Sequence, residues 1–153
     1  MRCRLSHGLT LIESLVVLVI VGILATVVVP SFNNTLARTR LDGVVNELSV
    51  DLQYARSTSI RRRAAVTLAT AADGQSYTIS IGSEPLKSVG MPAGLTLTGD
   101  MSITFDPLRG TAESASLDAT SRAISGTLRV STSAMGRVQL CSPSNSFGGY
   151  AAC

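Results

Sequence analysis

Residues 9–29 form an apolar run of twenty-one positions with a single ionisable side chain, Glu13. A helix rising about 1.5 Å per residue over that length matches a hydrocarbon core of roughly 30 Å. After Pro30 the pattern stays helical. Leu41, Val44, Val45, Leu48, Leu52 and Ala55 recur with the spacing of one helix face, while Arg38, Arg40, Glu47, Asp51 and Arg56 fall mostly off that stripe. The pattern predicts one long helix from about Leu9 to about Arg62, its second half docking an apolar stripe on a sheet. Beyond Ala64 the period becomes two. Val66-Thr67-Leu68 and Tyr77-Thr78-Ile79-Ser80-Ile81 read as strands of a hairpin turned at Ala72-Asp73-Gly74-Gln75. Leu95-Thr96-Leu97, Ile103-Thr104-Phe105, Leu128-Arg129-Val130 and Val138-Gln139-Leu140 read as further short strands, and the Ser/Thr/Ala-rich stretch 111–125 as a loop. A helix followed by a run of antiparallel strands makes the fold class α+β.

Composition sharpens this. Apolar residues are 45% of the 153 and charged residues 15%, which excludes a disordered polar tail. Trp is absent and aromatics are 4%, so aliphatic side chains carry the core. The net charge of +3 includes Arg2 and Arg4. Without those two, eleven basic residues face ten acidic ones, so a concentrated nucleic-acid footprint is confined to the middle segment, with six Arg between positions 38 and 63. Arg61-Arg62-Arg63 stands where the helix should end. There the helix dipole favours cations by about 0.3–1 kcal/mol, and a contact with acidic partners or phosphates is the alternative.

Arg2 and Arg4 ahead of the apolar run predict a cytoplasmic N-terminus with the rest of the chain outside. An ordinary secretory signal cut near Ala25 is the simple alternative. Against it stand the length of the run and Glu13, whose carboxylate costs roughly 2.5–3.5 kcal/mol within a membrane and needs a partner. Gly8-Leu9-Thr10-Leu11-Ile12-Glu13-Ser14 resembles the type IV prepilin motif. The resemblance implies that an aspartic peptidase cuts after Gly8, removing leader 1–8. It further implies that Leu9, where the family usually has Phe, becomes the N-methylated N-terminus. It implies a partner for Glu13 as well, the α-amino group of Leu9 in the same or a neighbouring subunit. Such a pair would neutralise two charges in lipid and set the axial register between subunits. Gly22 and Pro30 both weaken a helix. Partial melting between them on polymerisation, as in filament subunits of this class, and a simple kink at Pro30 both remain open.

Asp51-Leu-Gln-Tyr-Ala-Arg-Ser-Thr-Ser-Ile-Arg-Arg-Arg63, Ile103-Thr-Phe-Asp-Pro107 with Gly110, and Gly136-Arg-Val138 resemble the GspH/FimT (FimU-like) branch of minor pilins and pseudopilins. The resemblance implies a pilin-like fold, a long N-terminal helix packed on a small antiparallel β-sheet head. It divides the chain into leader 1–8, transmembrane helix 9–29, amphipathic continuation 30–63 and periplasmic β-rich head 64–153. The implied location is the bacterial inner membrane in a single pass, followed by the filament. The implied partners are other pilin or pseudopilin subunits, the prepilin peptidase and the inner-membrane assembly platform. Of three cysteines, Cys3 leaves with the leader, and an exported chain that keeps the even pair Cys141 and Cys153 reads as carrying one disulfide.

The branch also has DNA-binding members with a C-terminal Gly-Arg-x-Arg motif. Gly136-Arg137-Val138-Gln139 keeps the first arginine and replaces the second, which argues against a nucleic-acid partner at Arg137. Catalytic groups are scarce. The one histidine, His7, lies in the leader, no metal-ligand spacing or phosphate loop occurs, and neither Lys87 nor any acidic residue stands in a recognisable catalytic pattern. The expectation is a structural subunit with no enzymatic activity, no cofactor and no metal. Three roles fit it: a minor subunit priming or capping a type IV pilus, a minor pseudopilin of a type II secretion system, or a pilus-tip DNA receptor.

Overall fold

The structure, a computed structural model, describes residues 10–100, 102–143 and 147–153, apart from the side chains of 27–31. The chain divides into two compact units, Met1–Leu36 and Ala37–Cys153. One helix, α1 (Leu11–Arg62), contributes to both. Its start follows from Thr10, whose carbonyl accepts the N–H of Glu13 at 3.1 Å and of Ser14 at 3.2 Å, with Thr10 Oγ1 3.4 Å from the Glu13 nitrogen. Thr followed three residues later by Glu is the pattern of a capping box. The large apolar side chains described in the first unit stand exposed, Leu11 at 84% and Leu18 at 71%.

The second unit is built on the predicted stripe. Leu41, Val44, Val45, Leu48, Leu52 and Ala55 are all buried. They join one core with Val66, Leu68, Tyr77, Ile79, Leu117 and Phe105, among others. The helix ends at Arg62 because Arg63 turns to φ 50° and the Ala64 N–H bonds back to the Ser59 carbonyl at 3.2 Å. That closure usually uses Gly. Arg61 and Arg62 occupy the last turn, where the dipole favours them.

Eight strands follow: β1 (Val66–Thr70), β2 (Ser76–Ile81), β3 (Glu84–Gly90), β4 (Leu95–Gly99), β5 (Ser102–Phe105), β6 (Ala115–Ser121), β7 (Thr127–Thr132) and β8 (Val138–Cys141). They form two antiparallel four-stranded sheets, in the orders β3-β2-β1-β5 and β4-β6-β7-β8. The hairpin turn lies where the sequence predicted it, with the Ala71 N–H on the Ser76 carbonyl at 2.8 Å and Gly74 at φ 65°.

The head is the expected antiparallel β structure, arranged as two sheets. One expectation needs correction: the stretch 111–125 is not a loop throughout. Its residues Ala115–Ser121 form β6, a central strand of the second sheet. Small side chains hid it. Only Leu117 and Ala119 are fully buried, with Ala115 partly buried against the core, while Asp118 lies on the other face and takes a bidentate pair from Arg129 at 2.6 and 2.8 Å.

Candidate functional site

The expected processing site, Gly8 and Leu9, lies outside the described residues, as do Cys3 and His7. Glu13 is exposed in the first turn of α1, and the helix continues unbroken through Gly22 and Pro30. Among the described residues no helix is long and apolar enough to cross a membrane. Residue 9 and the side chains of 27–29, which complete the expected span, are not among them.

In the second unit the most ordered polar constellation is one the sequence did not single out. Asp51 is 4% exposed. Its Oδ2 accepts the Tyr77 hydroxyl and the Lys87 ammonium, each at 2.7 Å, and its Oδ1 accepts Lys87 at 2.8 Å. Lys87 also reaches Glu47 at 3.3 Å. The pair ties α1 to neighbouring strands β2 and β3, so the carboxylate fixes the helix against the sheet. Burial pushes the Tyr77 hydroxyl far up, and the Asp51 carboxylate pushes it further. The hydrogen bond to Asp51 holds the Lys87 ammonium above its usual value, which leaves it protonated and unsuited to act as a base. The signal was present in the sequence. Val44, Leu48, Asp51 and Ala55 follow a four-three-four spacing, so Asp51 sits on the buried side of the helix.

Arg137 is exposed, at the end of a turn that links β7 to β8. Its N–H donates to Ser133 Oγ at 3.2 Å and its carbonyl accepts the Ser133 N–H at 2.9 Å. Gly136 before it has φ 71° and lies against the Gly110 carbonyl and the Arg56 side chain, where no Cβ fits. The glycine is therefore required by the close approach of two turns. Gln139, at the position of the missing second arginine, is exposed on β8.

The cysteines expected to pair do so: Cys141 and Cys153 are joined, 5.1 Å apart at Cα. The loop they close packs on α1. Arg38 lies over the Phe147 ring at 4.8 Å, and Asn46 Nδ2 reaches the Tyr150 hydroxyl at 3.4 Å. Among the described residues no group of three His, Cys, Asp or Glu side chains could hold a metal.

Comparison with known proteins places this geometry. The model of the family described as Type II transport protein GspH matches residues 44–147, and that of the Prokaryotic N-terminal methylation motif matches residues 3–29. Two fimbrial proteins of Pseudomonas aeruginosa are each 37% identical over 72 residues, 47% of this chain and 47% of the relative. The chain thus spans about half the length of the curated relatives it matches. The crystal structure of the type IV minor pilin FimU of Pseudomonas aeruginosa is 27% identical, with 74% of this chain and 97% of that chain covered and a TM-score of 0.60. The minor pseudopilin EpsH from the Type 2 Secretion System of Vibrio cholerae shares the fold, with a TM-score of 0.58 over 69% of this chain and 98% of that chain at 12% identity.

Proposed function

The chain belongs to the GspH family of minor pilins and pseudopilins, and on that premise we propose that it is a minor subunit that primes or caps a type IV pilus. The observation that carries the reading is the conjunction of the N-terminal methylation motif at residues 3–29 with a head whose fold and sequence approach those of a type IV minor pilin. The likeness to fimbrial proteins at 37% identity supports a pilus over a secretion pseudopilus, because the likeness to EpsH is one of fold alone.

In this reading the prepilin peptidase cuts after Gly8, and methylated Leu9 becomes the N-terminus. Segment 9–29 anchors the subunit in the inner membrane, N-terminus cytoplasmic and head periplasmic, before the assembly platform moves it into the filament. The exposed apolar side chains of the first unit support this, since such a surface needs an apolar environment or partner. Glu13 pairs with the α-amino group of Leu9, its own or a neighbour's, and sets axial register. Gly22 and Pro30 let the intervening helix adjust on packing. The family is one of structural subunits, and we read this chain as one, without catalysis.

Deleting the gene in its host separates the two filament roles. Loss of surface pili with normal exoprotein secretion is the expected result. Loss of secretion with normal piliation would assign the chain to a type II secretion system instead.

A further inference from the structure

Two turns, one from each sheet, meet beside the last turns of α1. The first, 106–111, follows β5. It is closed by the Asp106 N–H on the Thr111 carbonyl at 2.8 Å and the Gly110 N–H on the Asp106 carbonyl at 2.9 Å. The second, 133–137, links β7 to β8 and is closed by the Gly136 N–H on the Ser133 carbonyl at 2.7 Å. Gly110 and Gly136 are buried against each other, and the Arg56 side chain lies against both. The turn tips stand in solvent, with Leu108 80% and Met135 72% exposed. Ile60, whose Cδ1 lies beside Gly110, is 45% exposed. Three large apolar side chains thus surround one point of close backbone contact.

The charge around that point has one sign in excess. Arg109 precedes Gly110 and Arg137 follows Gly136, so they and Arg56 ring the contact. Among the described residues the ion pairs are made by Lys87 and Arg129, and none by these three arginines. Arg56 Nε is buried without a hydrogen-bond partner. The carboxylate within the turns, Asp106, is engaged, its Oδ1 accepting the Leu108 and Arg109 N–H groups at 2.9 Å each. Three arginines against that one aspartate leave an excess of two positive charges, and exposed Arg61, Arg62 and Arg63 follow Ile60 directly. Arginine and methionine are the residues that interface cores favour, and a clustered exposed apolar patch marks an interaction site. Arg56, held by both turns, loses little freedom on binding. A phosphate backbone would match the arginines but leave Leu108 and Met135 in water, so the mixture fits a polypeptide.

We propose that this junction of turns receives an acidic segment of another polypeptide, in which carboxylates stand next to large aliphatic side chains. The carboxylates pair with Arg56, Arg109 and Arg137, and the aliphatic groups cover Ile60, Leu108 and Met135. The surface is independent of which filament the chain joins.

The test uses the full-length, nitrogen-15-labelled chain in micelles of a non-ionic detergent. The probes are acetyl-Ser-Leu-Glu-Leu-Glu-Ser-amide, a copy with Gln for both Glu, a copy with Ser for both Leu, and a short DNA duplex. The first peptide is expected to shift the amide signals of 108–110 and 135–137 and to bind about tenfold more tightly than either copy. Leu108→Ser and Arg137→Gln, both at exposed positions, should each weaken it about fivefold and leave the amide signals outside the two turns in place. Any of four results overturns the proposal: no binding at millimolar peptide, equal binding of the Gln or the Ser copy, shifts confined to another surface, or no effect of either variant. Duplex binding at the same residues, tighter than the peptide and indifferent to Leu108→Ser, would overturn it by making the cluster a phosphate site. Concentration-dependent shifts of the two turns without peptide would overturn it too, by showing that a second copy of the chain covers them.

Discussion

Replacing Asp51 by Ala should destabilise the head through Tyr77 more than through the ion pair. Tyr77 is 1% exposed, so its hydroxyl would lose its acceptor at 2.7 Å without gaining water. An orphaned buried group of this kind costs about 1–3 kcal/mol. Lys87 keeps 39% of its side chain exposed and can rehydrate, so its share is that of a surface pair, about 0–1 kcal/mol. The expected loss is about 1–4 kcal/mol. Tyr77→Phe removes the hydroxyl but leaves Asp51 with Lys87, and should lose about 1–2 kcal/mol. In the double variant nothing is orphaned, so the losses should fall short of the sum by about 1–2 kcal/mol. Urea unfolding of the head transition, at unchanged slope, measures all three. Additivity within about 0.5 kcal/mol would refute the coupling.

The same pair sets an alkaline limit. Folding raises the Tyr77 hydroxyl above its ordinary 10.0, so the native state keeps a proton that the unfolded chain releases. Stability is fully present below that value and falls as pH rises beyond it, by about 1.4 kcal/mol per pH unit for one such group. Lys87 shifts in the same direction from 10.5 and adds to the fall. Tyr77→Phe should flatten the slope.

Gly136→Ala should cost about 2–4 kcal/mol, since it combines an unfavourable positive φ with a clash against the Gly110 carbonyl; a shift in urea midpoint reads it. Reducing the Cys141–Cys153 disulfide, which spans 12 positions, should cost about 3 kcal/mol in the chain-entropy picture, measured as the midpoint with and without reductant. Glu13→Val should leave membrane anchoring intact and lower the subunit recovered in sheared filaments about tenfold or more, by quantitative immunoblot. Equal recovery would dismiss the proposed pairing with Leu9.

Legibility in the sequence followed how much apolar contrast each element carries. The helix stripe 41–55 was readable because large aliphatic residues repeat at helical spacing, and all six positions are buried. The β1–β2 hairpin was readable because Tyr77, Ile79 and Ile81 alternate with Thr and Ser around a Gly-containing turn. β6 was not, since its inward face carries one large side chain, Leu117. Nor was β3, a half-exposed edge with Pro85 in it. Period-two contrast also says nothing about which sheet a strand joins. The chain passes from β4 in one sheet to β5 in the other within a few residues, a partition that only packing reveals. The disulfide pair followed from counting cysteines, whereas the contacts of its loop with Arg38 and Asn46 on α1 needed coordinates.

The central claim is that the chain is processed as a prepilin, and the mass of its mature N-terminus in the host tests it most directly. The account predicts a chain beginning at Leu9 that carries one extra methyl group on its α-amine. A chain beginning near Thr26, or one still bearing residues 1–8, would contradict it.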